Sequence, residues 1–537
     1  MLRPVGGIER ISLLQDAPPQ DPFAGFASPV RATHVWMVGD LVYRAILCER
    51  HLYIMSEGGT ILDITPADGI AEPPIPEEGG YGDDIYFGAA GGLTNPDNLY
   101  PDAVPPGSGI YPDPLPPGTD PGPIDPIYAD PNGYGMQRPN RPAAIVLGHM
   151  WTLDNFGDFL VAMISYDRRL LIWDPNETGT LAAEVVPTPE DLTAVPPIAG
   201  GGVAPHGRFF VITPERHCMV FNVDGKANRF VWCSQEDIHD WKYDNELNSA
   251  GYYDIEPSAP FITALPTRTG VLAFTTSRSY LISYIGDPYF YSYSLLGYFN
   301  APVSGHAITR SASTAIWYAP DGFWQFDGVN IQPLSCPLLD YIQRTIDQVW
   351  SYRRMQAVYL GVQSELWFFY PAQGEKENGL YVCFNFDEKW WSMGKLRRTC
   401  GSPGSTLSYP LLSDGVNLYY HEKGLAYADV QELPYAQTGA INVAKGGRKC
   451  TVRQGIVDTR APAADVYFRI GATLDRISDG TEITDIEMPL AIRREGGKLD
   501  FRVTGRDVFI RIESARNGVE PWTFGEMLAK VFPRGGR

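Results

Sequence analysis

At 537 residues with a formal charge of −20, the chain is too long for one compact core and too acidic for a protein whose main task is gripping nucleic-acid phosphate. Hydrophobic residues make up 44% and charged residues 20%, the balance of a folded rather than a disordered chain. Its 12 Trp, 30 Tyr and 24 Phe suit strands, and its 55 Gly and 46 Pro suit turns, a pairing that excludes helical bundles and coiled coils.

Residues 1–29 read as an N-terminal arm whose opening, MLRPVGGIERIS, lacks the apolar core of a signal peptide. No run approaches the ~18 apolar residues of a membrane span, so no membrane insertion is expected. A strand-rich body follows over 30–65 and 143–430. Its aromatic runs pair as hairpins: 41–47 with 52–55, 159–164 with 170–173, 209–212 with 218–221, and 271–274 with 280–284. Three more join 315–318 with 323–326, 366–370 with 381–386, and 409–412 with 418–420. Asp-Gly turns punctuate the series at 224–225, 321–322, 327–328 and 414–415. Hairpins recurring in this way predict a mainly β fold, a degenerate β-propeller of six or seven blades at roughly 40–50 residues each.

Between the first two hairpins lies a different kind of chain. Residues 66–142 hold 18 prolines and twelve acidic residues against only Arg138 and Arg141. Proline lacks the N–H that a strand ladder needs, so this reads as an acidic Pro/Gly-rich insertion. Pro337 followed by Leu338, Ile342, Ile346 and Val349 predicts one side helix over 337–350. From 431 to 537, the runs 466–470, 499–503 and 508–512 alternate apolar with polar residues, as in a C-terminal antiparallel, sandwich-like β domain. Arg469, Arg502 and Arg511, with the tail Arg534–Arg537, make it the most basic part of the chain.

Catalytic signatures are missing: no GxxxxGK[ST], GxSxG, HExxH or DxDxDG occurs. The eight histidines (34, 51, 149, 206, 217, 239, 306 and 421) never fall at the i, i+4 spacing of a helical metal site. The seven cysteines (48, 218, 233, 336, 383, 400 and 450) are never spaced CxxC and read as reduced, mostly buried thiols. Because propellers host glycosidases, the acidic residues Glu236, Asp237, Asp240, Asp254 and Glu256 are candidates for a carboxylate pair, but their crowding in sequence reads as a solvated acidic loop. Trp241, Trp390 and Trp391 are the surface aromatics best placed for stacking on a sugar, with interface or core anchoring as the plainer reading. No residue takes a catalytic, cofactor-binding or metal role, and no enzymatic activity or cofactor is expected.

One block adds to this. Arg229-Phe-Val-Trp-Cys-Ser234 leads into Asp237-Ile-His-Asp-Trp241, then come the stretch 270–280 with Tyr284-Ile-Gly286 and the closing stretch 316–328, IWYAPDGFWQFDG. The stretch 381–394, YVCFNFDEKWWSMG, follows in the same order. This arrangement resembles the tail nozzle proteins of short-tailed bacteriophages, also called phage stabilisation or tail-hub proteins, over about 229–394. The resemblance implies a structural virion protein, assembled in the host cytoplasm and located in the tail. In that family six copies form a ring below the portal and its adaptor. The ring continues the DNA channel without specific binding, retains the genome and anchors tail fibres, spikes or a needle. Its net negative charge would keep DNA from sticking to the channel wall. A receptor-binding tail protein that recognises host glycans is the alternative, and a propeller glycoside hydrolase the third.

Overall fold

In the computed structural model the described residues are 9–11, 28–56, 61–66, 68–71, 150–176, 184–185, 205–223, 225–243, 248–298, 301–311, 314–402, 409–423, 435–439, 441–442, 448–460, 466–473, 490–491, 498–514 and 523–533. Seven four-stranded sheets follow one another along the chain, spanning 32–63, 151–185, 209–254, 261–297, 308–334, 356–395 and 400–420. In the first six, spatial order repeats chain order, so each is a simple meander. The seventh takes Glu9–Ile11 as its outermost strand, paired antiparallel with Leu418–Tyr420. Part of the expected N-terminal arm is therefore a strand of that sheet.

The innermost strands are Ala32–Val38, Trp151–Phe156, Phe209–Ile212, Phe261–Thr267, Ile308–Arg310, Gln356–Leu360 and Cys400–Ser402. Each neighbours the next, and Cys400–Ser402 returns to Ala32–Val38, closing a seven-bladed β-propeller. The expected fold class holds, and the blade number is seven.

Blade centres explain the sequence pattern. Cys218–Val223 and Ala315–Ala319 are buried at every position, as strands covered on both faces must be. The apolar clusters then lie between successive blades. Trp36 and Leu52 of blade one pack with Trp151 and Leu160 of blade two, and Leu272 and Phe274 of blade four pack with Trp317 and Phe326 of blade five. Turn glycines serve where expected: Gly322 and Gly415 sit at φ +143° and +100°, where a side chain is strained.

Two details differ from expectation. The helix predicted over 337–350 is two short ones, α1 (Leu339–Thr345) and α2 (Ser351–Arg354). Ile342 and Ile346 are buried as the stripe required, but Val349 is 64% exposed. The Asp347 carboxylate accepts the backbone N–H groups of Val349 and Trp350 at 2.9 and 2.8 Å, satisfying them locally and ending the helical run. Of the insertion 66–142, only residues 66 and 68–71 are described. There Ile70 is buried in the apolar cluster of blades one and two, and Arg169 pairs with Asp68 and donates to the Gly69 carbonyl at 2.7 Å. The rest of that expectation lies outside the described residues.

The molecule forms two compact units, Leu13–Ser408 with Leu412–Val416, and Met1–Ser12 with Tyr409–Leu411 and Asn417–Arg537. In the second unit Val466–Thr473 and Asp507–Ser514 pair antiparallel at the centre of a five-stranded sheet. A three-stranded sheet runs Lys498–Gly505, Cys450–Arg460, Thr523–Pro533. Val452, Leu499 and Val503 from one sheet and Phe468, Ile470 and Ile512 from the other share one core, as in a sandwich.

Candidate interaction surface

Of the five acidic residues that could form a carboxylate pair, four are held by their neighbours and Glu256 is exposed. Asp254 takes Nε and Nη2 of the buried Arg229 at 2.6 and 2.8 Å, with Lys226 at 3.2 Å; these partners, the Arg229 hydrogen bond foremost, hold its carboxyl below the usual range. Asp237 and Asp240 accept the backbone N–H groups of His239 and Lys242, and Asp240 also takes Asn248 Nδ2 at 2.8 Å. Glu236 faces Arg216 at 3.6 Å on the surface. Trp241 is fully buried, its indole N–H donating to the Ile238 carbonyl at 2.6 Å, so it is a core anchor and not a stacking face. Trp391 packs on Phe323 and Phe384 and donates to the Ser335 carbonyl, whereas Trp390 is 37% exposed.

Histidines and thiols behave as structural groups. His217 lies buried between Ser249 Oγ and the Tyr291 hydroxyl, each 3.0 Å away, and burial lowers its pKa to about 4. His306 is likewise lowered to about 4 by burial. All seven cysteines are free, six of them buried; burial pushes Cys48, Cys233 and Cys400 to about 12, far from the thiolate that reacts. The inner strands of blades one and two add a group not singled out from sequence. His34 Nε2 meets Asn155 Oδ1 at 3.2 Å beside Asp154. Burial lowers His34 and raises Asp154, and the charges acting on Asp154 are His34 and Arg310.

What the propeller exposes is aromatic. In blade four, Ser279–Gly286 pairs antiparallel with the edge strand Phe290–Gly297. Between Tyr280 and Tyr298 the only charged residue is Asp287. On this hairpin Tyr289 and Tyr298 are 68% and 69% exposed, and Tyr284, Ile285, Tyr293 and Leu295 are exposed as well. Tyr293 packs edge-on against Tyr253 of blade three at 5.5 Å, so the patch is continuous with its neighbour blade. A long, uncharged edge strand leaves backbone N–H and C=O groups ready to pair, and exposed tyrosines supply large contact area at low entropic cost. The sequence signal was available: nineteen residues with one charge, in a chain otherwise one-fifth charged.

The basic residues singled out in the C-terminal domain divide into two kinds. Arg469 and Arg511 stand opposite each other in register, and their Nε atoms donate to the two oxygens of buried Glu513 at 2.6 and 2.9 Å. Arg511 also lies over the Tyr435 ring at 3.8 Å. These two are internal pairs. Arg502 is exposed, and Arg534 and Arg537 lie outside the described residues.

No protein-family model matches the chain, and no curated protein matches it. Solved structures similar to it include the Neurospora crassa Pan2 WD40 domain, at 8% identity and TM-score 0.35, covering 79% of this chain and 96% of that one. The Vanderwaltozyma polyspora Nup133 β-propeller domain matches at 13% identity and TM-score 0.28, covering 68% and 94%. Among the described residues no helix is long and apolar enough to cross a membrane.

Proposed function

We propose that the chain is a structural tail protein of a short-tailed bacteriophage. Six copies form a ring below the portal-adaptor, continuing the DNA channel, retaining the genome and anchoring tail fibres or spikes. The observation that carries this reading is the uncharged aromatic edge of blade four, a surface suited to protein contact. It falls inside the block 229–328 on which the resemblance rests. An acidic chain also suits a channel through which DNA must slide without adhering. In this role the propeller works by shape and number rather than by reactive groups.

Mass photometry of the purified chain is expected to show a sixfold species. Tyr289→Asp with Leu295→Asp is expected to shift it to monomer while leaving the melting temperature unchanged, since these side chains are 68% and 42% exposed. A trimer that binds host polysaccharide would instead favour glycan recognition, for which exposed Tyr289 and Tyr298 offer stacking faces. A monomer that hydrolyses polysaccharide would overturn the structural reading.

A further inference from the structure

The outer face of the three-stranded sheet in the second unit carries a row of like charges. Arg453, at its centre, is in register with Arg502 on one side and Lys530 on the other. Residues directly opposite in neighbouring strands point to the same face, so three cations stand side by side, and all three are exposed. Like charges in this position destabilise a sheet, and among the described residues none of the three has a carboxylate partner. Asp500, on the same face, takes Gln454 Nε2 at 2.9 Å. By contrast, Arg469 and Arg511 in the other sheet carry their own counter-ion, Glu513.

Apolar groups frame the row. Phe532 lies under Arg453 at 5.6 Å, and Ile456 and Leu528, paired in register, are 51% and 65% exposed. A phosphate backbone would ask for cations alone. A face of three cations set among exposed apolar side chains fits an acidic peptide with apolar and aromatic residues. Such a segment exists in this chain: residues 72–130 hold eleven carboxylates and no lysine, arginine or histidine, with acidic and apolar groups side by side as in Asp83-Asp84-Ile85-Tyr86-Phe87. Its prolines fix φ and lower the entropy lost on docking.

We propose that the Arg502–Arg453–Lys530 face binds the acidic, proline-rich segment 72–130 of a second copy of the chain. This rests on the reading of the protein as a multi-copy assembly. The carboxylates neutralise the cation row, and the aliphatic and aromatic side chains of the segment cover Ile456, Leu528 and Phe532. Sheet and segment thus form one link repeated around the ring.

The test mixes unlabelled and ¹⁵N-labelled full-length chains and applies a zero-length amine–carboxyl crosslinker. Expected are crosslinks from Lys530 to carboxylates within 72–130, found as mixed-isotope pairs and lost in high salt. The variant Arg453→Gln, Arg502→Gln, Lys530→Gln should assemble at least tenfold less readily with an unchanged melting curve. A sixfold species without Lys530 crosslinks to the segment, or with same-isotope pairs only, overturns this link while leaving the assembly standing. A parent chain that shows no sixfold species sinks the assembly reading instead. If a 30-base-pair DNA duplex binds the full chain and the triple variant abolishes that binding, the face belongs to nucleic acid and the proposal fails.

Discussion

Five successive seams of the propeller each hold an apolar cluster shared by two blades, whereas among the described residues the contacts of the closing seam are polar. From blade one to blade six, neighbours meet through Trp, Phe, Leu and Ile, as where Phe274 stacks edge-on against Trp317 at 4.9 Å. Where blade seven returns to blade one, hydroxyls and backbone carbonyls meet. Thr33 Oγ1 lies 3.0 Å from Ser402 Oγ, which donates to the Thr33 carbonyl at 2.6 Å, and Thr399 Oγ1 donates to the Val30 carbonyl at 2.8 Å. Beside it Arg31 reaches Glu377 of blade six at 2.8 Å and Glu49 of blade one at 3.0 Å. Each successive pair of blades from one to six is seated by burial of a shared apolar cluster, with directional contacts such as Asn222 to the Phe261 backbone added to it. The first and last blades are some 370 residues apart, and directional bonds are what fix their register.

Breaking an apolar seam should cost most. Trp317→Ala removes a fully buried ring and is expected to destabilise the chain by ~3–5 kcal/mol, read from the urea midpoint. A change below 1 kcal/mol would show that the seam relaxes around the loss. At the closing seam, Arg31→Met leaves Glu377 without its main partner. Because Glu49 and Glu377 are 40% and 25% exposed, solvent screens the loss to about 2 kcal/mol. Adding Glu377→Gln should recover part of it, a coupling that a double-mutant cycle measures.

The same pair gives a pH signature. Burial alone would raise Glu377, but the Arg31 hydrogen bond and charge hold its carboxyl below the ordinary glutamate value. Its folded pKa is thus depressed, so its contribution is full above the ordinary value and lost as pH falls through the folded one. Urea midpoints between about pH 6 and pH 3 should fall less steeply in Arg31→Met than in the parent. Smallest is the hydroxyl contact: Thr33→Val with Ser402→Ala is expected to cost about 1 kcal/mol. Should that exceed the cost of Trp317→Ala, the contrast between the seams is reversed.

Legibility from sequence followed burial. Seven aromatic hairpins were readable, and each falls in a separate blade, six of them as its two middle strands. Those strands are covered on both faces, so they are continuous apolar runs. Apart from Phe209–Ile212, the innermost and outermost strands went unread because they form the two rims of each blade, where residues such as His34, Asp154 and Arg310 break the apolar run. Trp241, for which anchoring was the plainer of two readings, is a core anchor: its ring is buried and its indole N–H donates to the Ile238 carbonyl, which an acidic turn in the sequence could not show.

By itself the sequence determined the β class, the repeated hairpins, the separate C-terminal sandwich and the charge set apart in one proline-rich segment, because strand propensity, proline and net charge are local properties. Only the tertiary structure decided the number of blades, the strand that Glu9–Ile11 lends to the last sheet, and which cations keep a partner. Those depend on register between strands far apart in the chain, where shifting one residue exchanges the two faces of a sheet.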